Sequence, residues 1–335
     1  MNKILVDAFG GDNSPEEVII GTIQALEEKE DFIAVFVGDE EKVKEILSTL
    51  SYQENRVEII DAKDVITCEE EPTKAIMSKP NSTIAVAFKE LKGKEEMKAF
   101  VSAGSTGAVL VGATLKLGRI AGVKRPALCP ILPCAIDNKE VLLLDSGANA
   151  DCKPEYLVQF ALMGSAYAET RGVENPKVAL LSNGTEDEKG STFSKEVFAL
   201  LKAEEKINFV GNVEARDILT GEFDVIVTDG FSGNIALKSM ESMVNVLFGA
   251  IKEGIDSSLS GKIGGLFMKN IFKNLKNKLD YNKKGGAVFL GAKKLVIKAH
   301  GSSKREAIKN SVLQAVNGVE QNLVSKVEEK LSVNM

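Results

Sequence analysis

Six short stretches rich in Gly, Ser, Thr and Asn hold most of the residues able to do chemistry: GGDNSP (10–15), AGSTG (103–107), SGANAD (146–151), SNGTEDEKGS (182–191), DGFSGN (229–234) and HGSS (300–303). Each follows a short apolar run and precedes a helical pattern. Glycine lets the backbone approach a ligand closely, and a helix start turns free N–H groups towards it. One such loop is common in any α/β protein. Six in one chain point to a site for a phosphate-like anion. The candidate contacts are Gly10, Gly11, Gly104, Ser105 and Thr106 in the first two loops. In the later loops they are Asn149, Asn183, Ser232, Gly233 and Ser302.

The side chains with reactive heads are few. Asp7 and Asp229 end strands, where a carboxylate either positions a ligand or caps a helix. Asn234 offers an amide at the lip of DGFSGN. Lys189 lies beside Glu186, Asp187 and Glu188, which reads equally as a surface ion-pair loop or as a cation held near a phosphate. Lys74 is open to the same two readings. His300 is the single histidine of the chain; a lone histidine is more often structural than catalytic, and its place at a strand end before a Ser-rich helix start raises the odds of a functional role. The four cysteines, Cys68, Cys129, Cys134 and Cys152, are scattered without CxxC spacing, so buried thiols are expected and a zinc site is not. No G-x-x-x-x-G-K-[ST] loop and no dinucleotide fingerprint is present, and no cofactor or metal is called for.

The elements that must carry these loops are legible from hydrophobic periodicity. Strands are expected at Ile4–Val6, Phe32–Val37, Val57–Ile60, Phe100–Ala103, Val178–Leu181, Phe209–Val210, Val225–Val227, Gly286–Leu290 and Leu295–Lys298. Ala127–Leu132 and Val141–Leu144 read as one pair turned at Asp137-Asn138. Ser14, Pro15 and Glu17 have capping-box spacing for a helix running through Ala25, and Ser303 and Glu306 have it for a last helix from about Arg305 to near Leu331. Other helices are expected at Ile84–Lys92, Ala108–Leu117, Glu155–Glu169, Phe193–Ala203 and from near Asn234 towards Ile251. Strands alternating with helices give an α/β fold with a parallel-rich, doubly wound sheet. Ligands then bind beyond the carboxyl ends of the strands, where all six loops lie. The expected organisation is one catalytic unit, residues 1–335, with two subdomains around a cleft.

Composition agrees. The chain has 335 residues, 44% of them hydrophobic, and no Trp, which suits short buried strands. A net charge of −6 excludes a nucleic-acid binder. The N-terminus meets an acid at Asp7 and is not expected to be a signal peptide, and no apolar run approaches the roughly 18–20 residues of a spanning helix. The expected place is the cytoplasm, with peripheral membrane attachment at most. Residues 254–284 differ in kind. Ile255, Leu259, Ile263, Leu266, Phe267, Ile271, Phe272, Leu275 and Leu279 keep helical spacing, and seven lysines face one acid between Lys262 and Lys284. Gly261 and Gly264-Gly265 are expected to break this stretch into a hairpin. Lysine-rich amphipathic helices suit anionic membrane surfaces. The contacts would be Ile263, Leu266, Phe267, Ile271 and Phe272 with Lys262, Lys269 and Lys273. Docking of an acidic protein and a dimer-interface helix with a solvated lysine face are the other readings.

VDAFGGDNSP, SAGSTGA, DSGAN with CKPEYL, SNGTEDEKG, VTDGFSGNIALK and KAHGSS together resemble the bacterial acyl-(acyl-carrier-protein):phosphate acyltransferases, over nearly the whole chain. The resemblance implies a homodimer with a fold like the isocitrate and isopropylmalate dehydrogenases and the phosphotransacylases. It implies transfer of a fatty acyl group from acyl carrier protein to inorganic phosphate, for phospholipid synthesis at the membrane surface. Phosphate would then sit on the loop N–H groups and Lys189, Asn234 would face the carbonyl oxygen, and His300 would serve the leaving thiolate. The rivals are a phosphate acetyl- or butyryltransferase using coenzyme A, a dehydrogenase of the same fold, and a non-catalytic membrane-surface scaffold.

Overall fold

Twelve strands form two sheets in the computed structural model, which describes residues 1–134, 139–279 and 284–332. In chain order they are β1 (Asn2–Asp7), β2 (Phe32–Gly38), β3 (Val57–Asp61), β4 (Met97–Ser102), β5 (Ala127–Cys129), β6 (Ile131–Pro133), β7 (Glu140–Leu144), β8 (Lys177–Ser182), β9 (Asn208–Glu214), β10 (Val225–Val227), β11 (Ala287–Leu290) and β12 (Leu295–Lys298). The first sheet has the order β3-β2-β1-β4-β12-β11-β5 and the second the order β6-β7-β10-β8-β9. The first five strands of the first sheet run parallel, as do β7, β10, β8 and β9. Strand β11 is antiparallel to both neighbours, and β6 to β7. Ile4, Leu5, Ala34, Phe36, Phe100, Val296 and Ile297 are wholly buried, as continuous apolar runs in a covered parallel sheet must be.

The helices are α1 (Glu16–Glu28), α2 (Glu40–Leu47), α3 (Pro72–Ser78), α4 (Thr83–Gly93), α5 (Thr106–Val111), α6 (Pro154–Thr170), α7 (Thr192–Ala203), α8 (Gly230–Asp256), α9 (Leu259–Leu279), α10 (Arg305–Glu320) and α11 (Leu323–Ser332). Helix α5 continues as a π-helical segment, Gly112–Leu117. Ile4, Val6 and Val101 from the first sheet and Leu142, Leu144, Val178 and Val227 from the second share one continuous apolar cluster.

Several expectations are corrected. The run 127–132 is split by Pro130: β5 joins the first sheet and β6 the second, where it pairs with β7. The expected turn at Asp137-Asn138 lies outside the described residues. Strand β9 runs through Gly211 and Asn212 to Glu214, with a register shift against β8. Neither capping box forms. Glu17 accepts instead from the Arg305 N–H at 2.7 Å and from its guanidinium, capping α10 rather than its own helix, while the Ser14 hydroxyl donates to Gly11 O. The ion pair holds the Glu17 pKa below the usual carboxylate range. The last helix is two helices, because Asn322 takes a left-handed φ of 53° between them. Gly261 and Gly265 do not break α9. A Cβ at either would come within 2.6 Å of Ile255, so they are the places where α9 closes on α8. The hairpin turn is Ser257-Ser258.

Candidate active site

Three of the glycine loops meet because β1, β4 and β12 are neighbours. The Asp12 N–H donates to Gly301 O at 2.8 Å and the Asn13 amide to Ser302 O at 3.0 Å, joining the β1 and β12 loops. A side chain on Gly10 would lie 2.5 Å from Asp7 Oδ2 and 2.7 Å from Gly104 N. Gly11, at φ +95°, is pressed against Ala103 and Gly301 O. Asp7 is buried beneath this junction rather than facing solvent. Its Oδ2 accepts from Ser102 Oγ at 2.7 Å, and Ser102 Oγ accepts from Gly104 N at 3.0 Å. Burial raises the Asp7 pKa; the Ser102 hydrogen bond and the charge of Lys298 act against it. Asp7 therefore shapes the loops. Ser105 caps α5 through Ala108 N, Thr106 is exposed at the first helical position, and Pro72 of α3 packs on Gly107. Lys74 is exposed on α3.

His300 is exposed at the lip of this junction. Its Nδ1 accepts from Ser302 N at 3.3 Å and lies 2.8 Å from Ser302 Oγ. An Nδ1 that accepts leaves the ring proton on Nε2, the edge free to donate outward.

A second junction forms at β7 and β10. Asp145, wholly buried, accepts from Leu128 N, Gly147 N, Ala148 N, Asn149 N and Asn149 Nδ2 at 2.7–3.2 Å. Burial raises its pKa, and these donors oppose the rise. The same carboxylate thus folds the 145–149 loop and ties it to residue 128 of the first sheet. Asn149 spends its Nδ2 on Pro126 O and Asp145, and its carbonyl accepts from Gly230 N at 2.8 Å. Its place is a latch between loops.

DGFSGN is not a loop ahead of a helix that starts near Asn234; helix α8 starts at Gly230. Asp229 caps it by accepting from Ser232 N at 2.8 Å. A Cβ on Gly233 would fall 1.9 Å from Asp145 O, and one on Gly230 2.5 Å from Asn149 O. The glycines read as loop formers are the flat face by which the first turn of α8 seats on the 145–149 loop. One turn on, Asn234 stands 3.6 Å from the Cβ position of Gly147, half-buried, its amide without a hydrogen bond to the described residues. Beside Asn234 an open surface concavity of about 490 Å³ lies against α8, lined by Ile235, Lys238, Ser239, Met243 and Val246 of that helix.

The β8 loop stands apart. Asn183 and Lys189 are exposed, and Lys189 Nζ lies 4.0 Å from Glu186. Such a surface pair holds a lysine weakly. The loop is anchored by Asn212 Nδ2 donating to Glu186 O at 2.8 Å. No described hydrogen bond joins it to the other loops.

The model of the family described as fatty acid synthesis protein matches residues 2–326. The chain belongs to this family. Similar curated relatives are a phosphate acyltransferase of Clostridium tetani, 44% identical over 330 residues with 98% of each chain covered, and one of Clostridium novyi, 46% identical over 334 residues with 99% of each covered. The chain is accordingly an enzyme of the phosphate acyltransferase family, as its motifs imply. Among solved structures, the EutD phosphotransacetylase from Staphylococcus aureus matches with a TM-score of 0.61 at 19% identity, covering 96% of this chain and 94% of that one. A branched-chain phosphotransacylase from Enterococcus faecalis matches at 0.58 and 16%, covering 95% and 99%. These likenesses carry the fold, and the expected phosphotransacylase-like α/β class is borne out.

Within this acyltransferase framework, sequence reading passed over Asp145, Ser102 and Lys298. Ser102 ends β4 and Asp145 directly follows β7, each just before a glycine loop and close to the strand-end positions that singled out Asp7 and Asp229. Lys298 also ends a strand, but nothing in its neighbourhood in the sequence shows that it is buried.

Proposed function

We propose that this enzyme moves a long fatty acyl group from the thioester of an acyl carrier protein to inorganic phosphate, giving acyl phosphate and free carrier thiol for phospholipid synthesis. The observation that supports it is the half-buried Asn234 amide, which makes no hydrogen bond to the described residues and stands at the start of a partly apolar surface of α8 formed by Ile235, Lys238, Ser239, Met243 and Val246. Phosphate oxygen attacks the thioester carbonyl, the carbonyl oxygen takes up charge facing Asn234, and the C–S bond breaks with its electron pair on sulfur. No protein nucleophile is required. A thiol of pKa about 8.5 leaves readily; the proton on His300 Nε2 is in reach of solvent and of a ligand at the lip. Lys189, loosely held, brings positive charge from the second sheet. Most of the acceleration comes from holding both substrates together.

The test is phosphate-dependent release of carrier thiol from a long-chain acyl carrier protein, with acetyl-CoA as comparison donor. Release from the long-chain donor alone is expected. Release from acetyl-CoA alone would move the enzyme to the short-chain phosphotransacylases, and release from neither would leave a surface scaffold as the better account.

The same reading places the arm on an anionic membrane surface and pairs two chains into a homodimer. No described helix is long and apolar enough to cross a membrane. Yet Leu266 and Phe267 of α9 are 73% and 84% exposed, and Ile263 and Ile271 more than half exposed, with Lys262, Lys269 and Lys273 exposed among them. A contiguous apolar face of that kind is covered in the working protein. The double variant Leu266→Asp, Phe267→Asp is expected to fold normally and to lose at least about tenfold in sedimentation with anionic vesicles, since two large side chains no longer enter the interface. Undiminished vesicle binding would remove the membrane from the proposal.

A further inference from the structure

Lys298 is the last residue of β12 and only 7% exposed. Its Nζ donates to Ala103 O at 3.3 Å and to Ala299 O. Ala103 O is the atom that Gly11 packs against, 3.3 Å from that residue's Cβ position. Ala299 leads directly into His300 and Gly301, and Gly301 O receives the Asp12 N–H. The ammonium therefore sits where the β1, β4 and β12 loops cross. Two of its three N–H groups are occupied by carbonyls. Among the described residues no carboxylate lies within 4.0 Å of it. Asp7 and Asp12 act on it only from farther away, as does Cys68.

A buried ammonium whose hydrogen bonds go to carbonyls alone has no carboxylate in contact with it, and an anion bound there would supply both the missing acceptor and an adjacent charge. We propose that Lys298 is the buried cation that holds the acceptor phosphate at the junction of the β1, β4 and β12 loops, its free N–H and its charge satisfied only when the anion is bound. This rests on the reading of inorganic phosphate as the acceptor. Burial also brings the lysine pKa down to about 8, against the opposing charges of Cys68, Asp7 and Asp12. Phosphate affinity of the free enzyme then falls as pH rises through that value, with Asp7, Asp12 and Cys68 as the other titratable groups around the ammonium.

The sign for stability is opposite to that of an ion pair. Between about 8 and the ordinary lysine value the unfolded chain binds the proton that the folded chain has released, so stability rises with pH across that window. At neutral pH the ionised side chain weakens the fold.

The experiment compares wild type with Lys298→Met in chloride buffer, with and without inorganic phosphate. In wild type phosphate raises Tm. In the variant the phosphate-free Tm is expected to be equal or higher, the phosphate-induced rise to be lost, and the KM for phosphate to increase at least about tenfold, the loss of one charge-assisted contact. The KM for the acyl donor is expected to stay within about twofold. A lowered Tm with undiminished phosphate binding would make Lys298 a strap between carbonyls and overturn the proposal. If the variant does not fold, wild type alone decides: phosphate affinity that is flat from pH 7 to 9.5 overturns it. Wild type that neither binds phosphate nor turns over would instead overturn the acceptor reading itself, whereas turnover with an unaltered phosphate KM in the variant would sink only the role of Lys298.

Discussion

Gly233→Ala is expected to unseat α8 and abolish most activity. Helix propensity alone argues the other way, because alanine is better than glycine in a helix by about 1 kcal/mol. Packing decides the sign. The added Cβ, fixed to the helix backbone, would stand 1.9 Å from the backbone carbonyl oxygen of Asp145, far inside contact. Neither can rotate away. Asp145 is itself pinned by five N–H donors, so the 145–149 loop cannot retreat without giving them up. A cost of about 3 kcal/mol or more follows from overpacking joined to a disrupted buried network. At about 2.1 cal/mol/K of unfolding entropy per residue over 335 residues, that lowers Tm by about 4 °C. Turnover is expected to fall at least about a hundredfold, because Asn234 rides on the same turn. Gly249→Ala is the control: nothing lies within 4 Å of the added group on the outer part of the same helix, and stability is expected to hold or rise. Equal Tm and equal turnover in the two variants would refute the seating of α8 on the loop.

Asn234→Ala is expected to leave the fold intact and cut turnover by about 10²–10³-fold, the usual loss when one donor to a developing oxyanion is removed. The two effects separate because the amide makes no hydrogen bond to the described residues, so its removal orphans nothing. The side chain stands beside Gly147, 3.6 Å from that residue's Cβ position, an ordinary contact distance. Stability within about 0.5 kcal/mol of wild type is expected for such a site. The KM of the acyl donor is expected to change little, since the donor acts on charge that appears only during reaction. Turnover within threefold of wild type would show that the oxyanion is held elsewhere, with backbone N–H groups as the remaining candidates.

The misreadings share a cause. Ser14 and Glu17 have the spacing of a capping box, but spacing says nothing of Arg305, which lies 288 residues away and takes the carboxylate through both backbone and guanidinium. Gly230 and Gly233 have the composition of a loop, yet tertiary contact with the 145–149 segment makes them helical, since only a helix turn without side chains fits there. Gly261 and Gly265 look like breaks in a periodic stretch and are instead the narrow side of a helix pair. In each case a local rule was sound and a partner on another element outweighed it.

Alternation of apolar runs with helical patterns settled the α/β class from the sequence alone, together with the six polar loops. It also placed them at the carboxyl ends of strands, because crossovers between parallel strands put every such loop on one edge. The exposed lysine-rich arm was legible for the same reason: periodicity is a local property. Only the tertiary structure decided which loops meet. Strand order brings Asp7, Gly104 and Gly301 to one junction and Asp145, Gly233 and Asn234 to another, while Lys189 stays on a loop of its own. It likewise decided that Lys298 is buried with carbonyls, and no described carboxylate, in contact with its ammonium. Strand order and burial arise from long-range packing of whole elements, which residue types and their spacing along the chain do not encode one loop at a time.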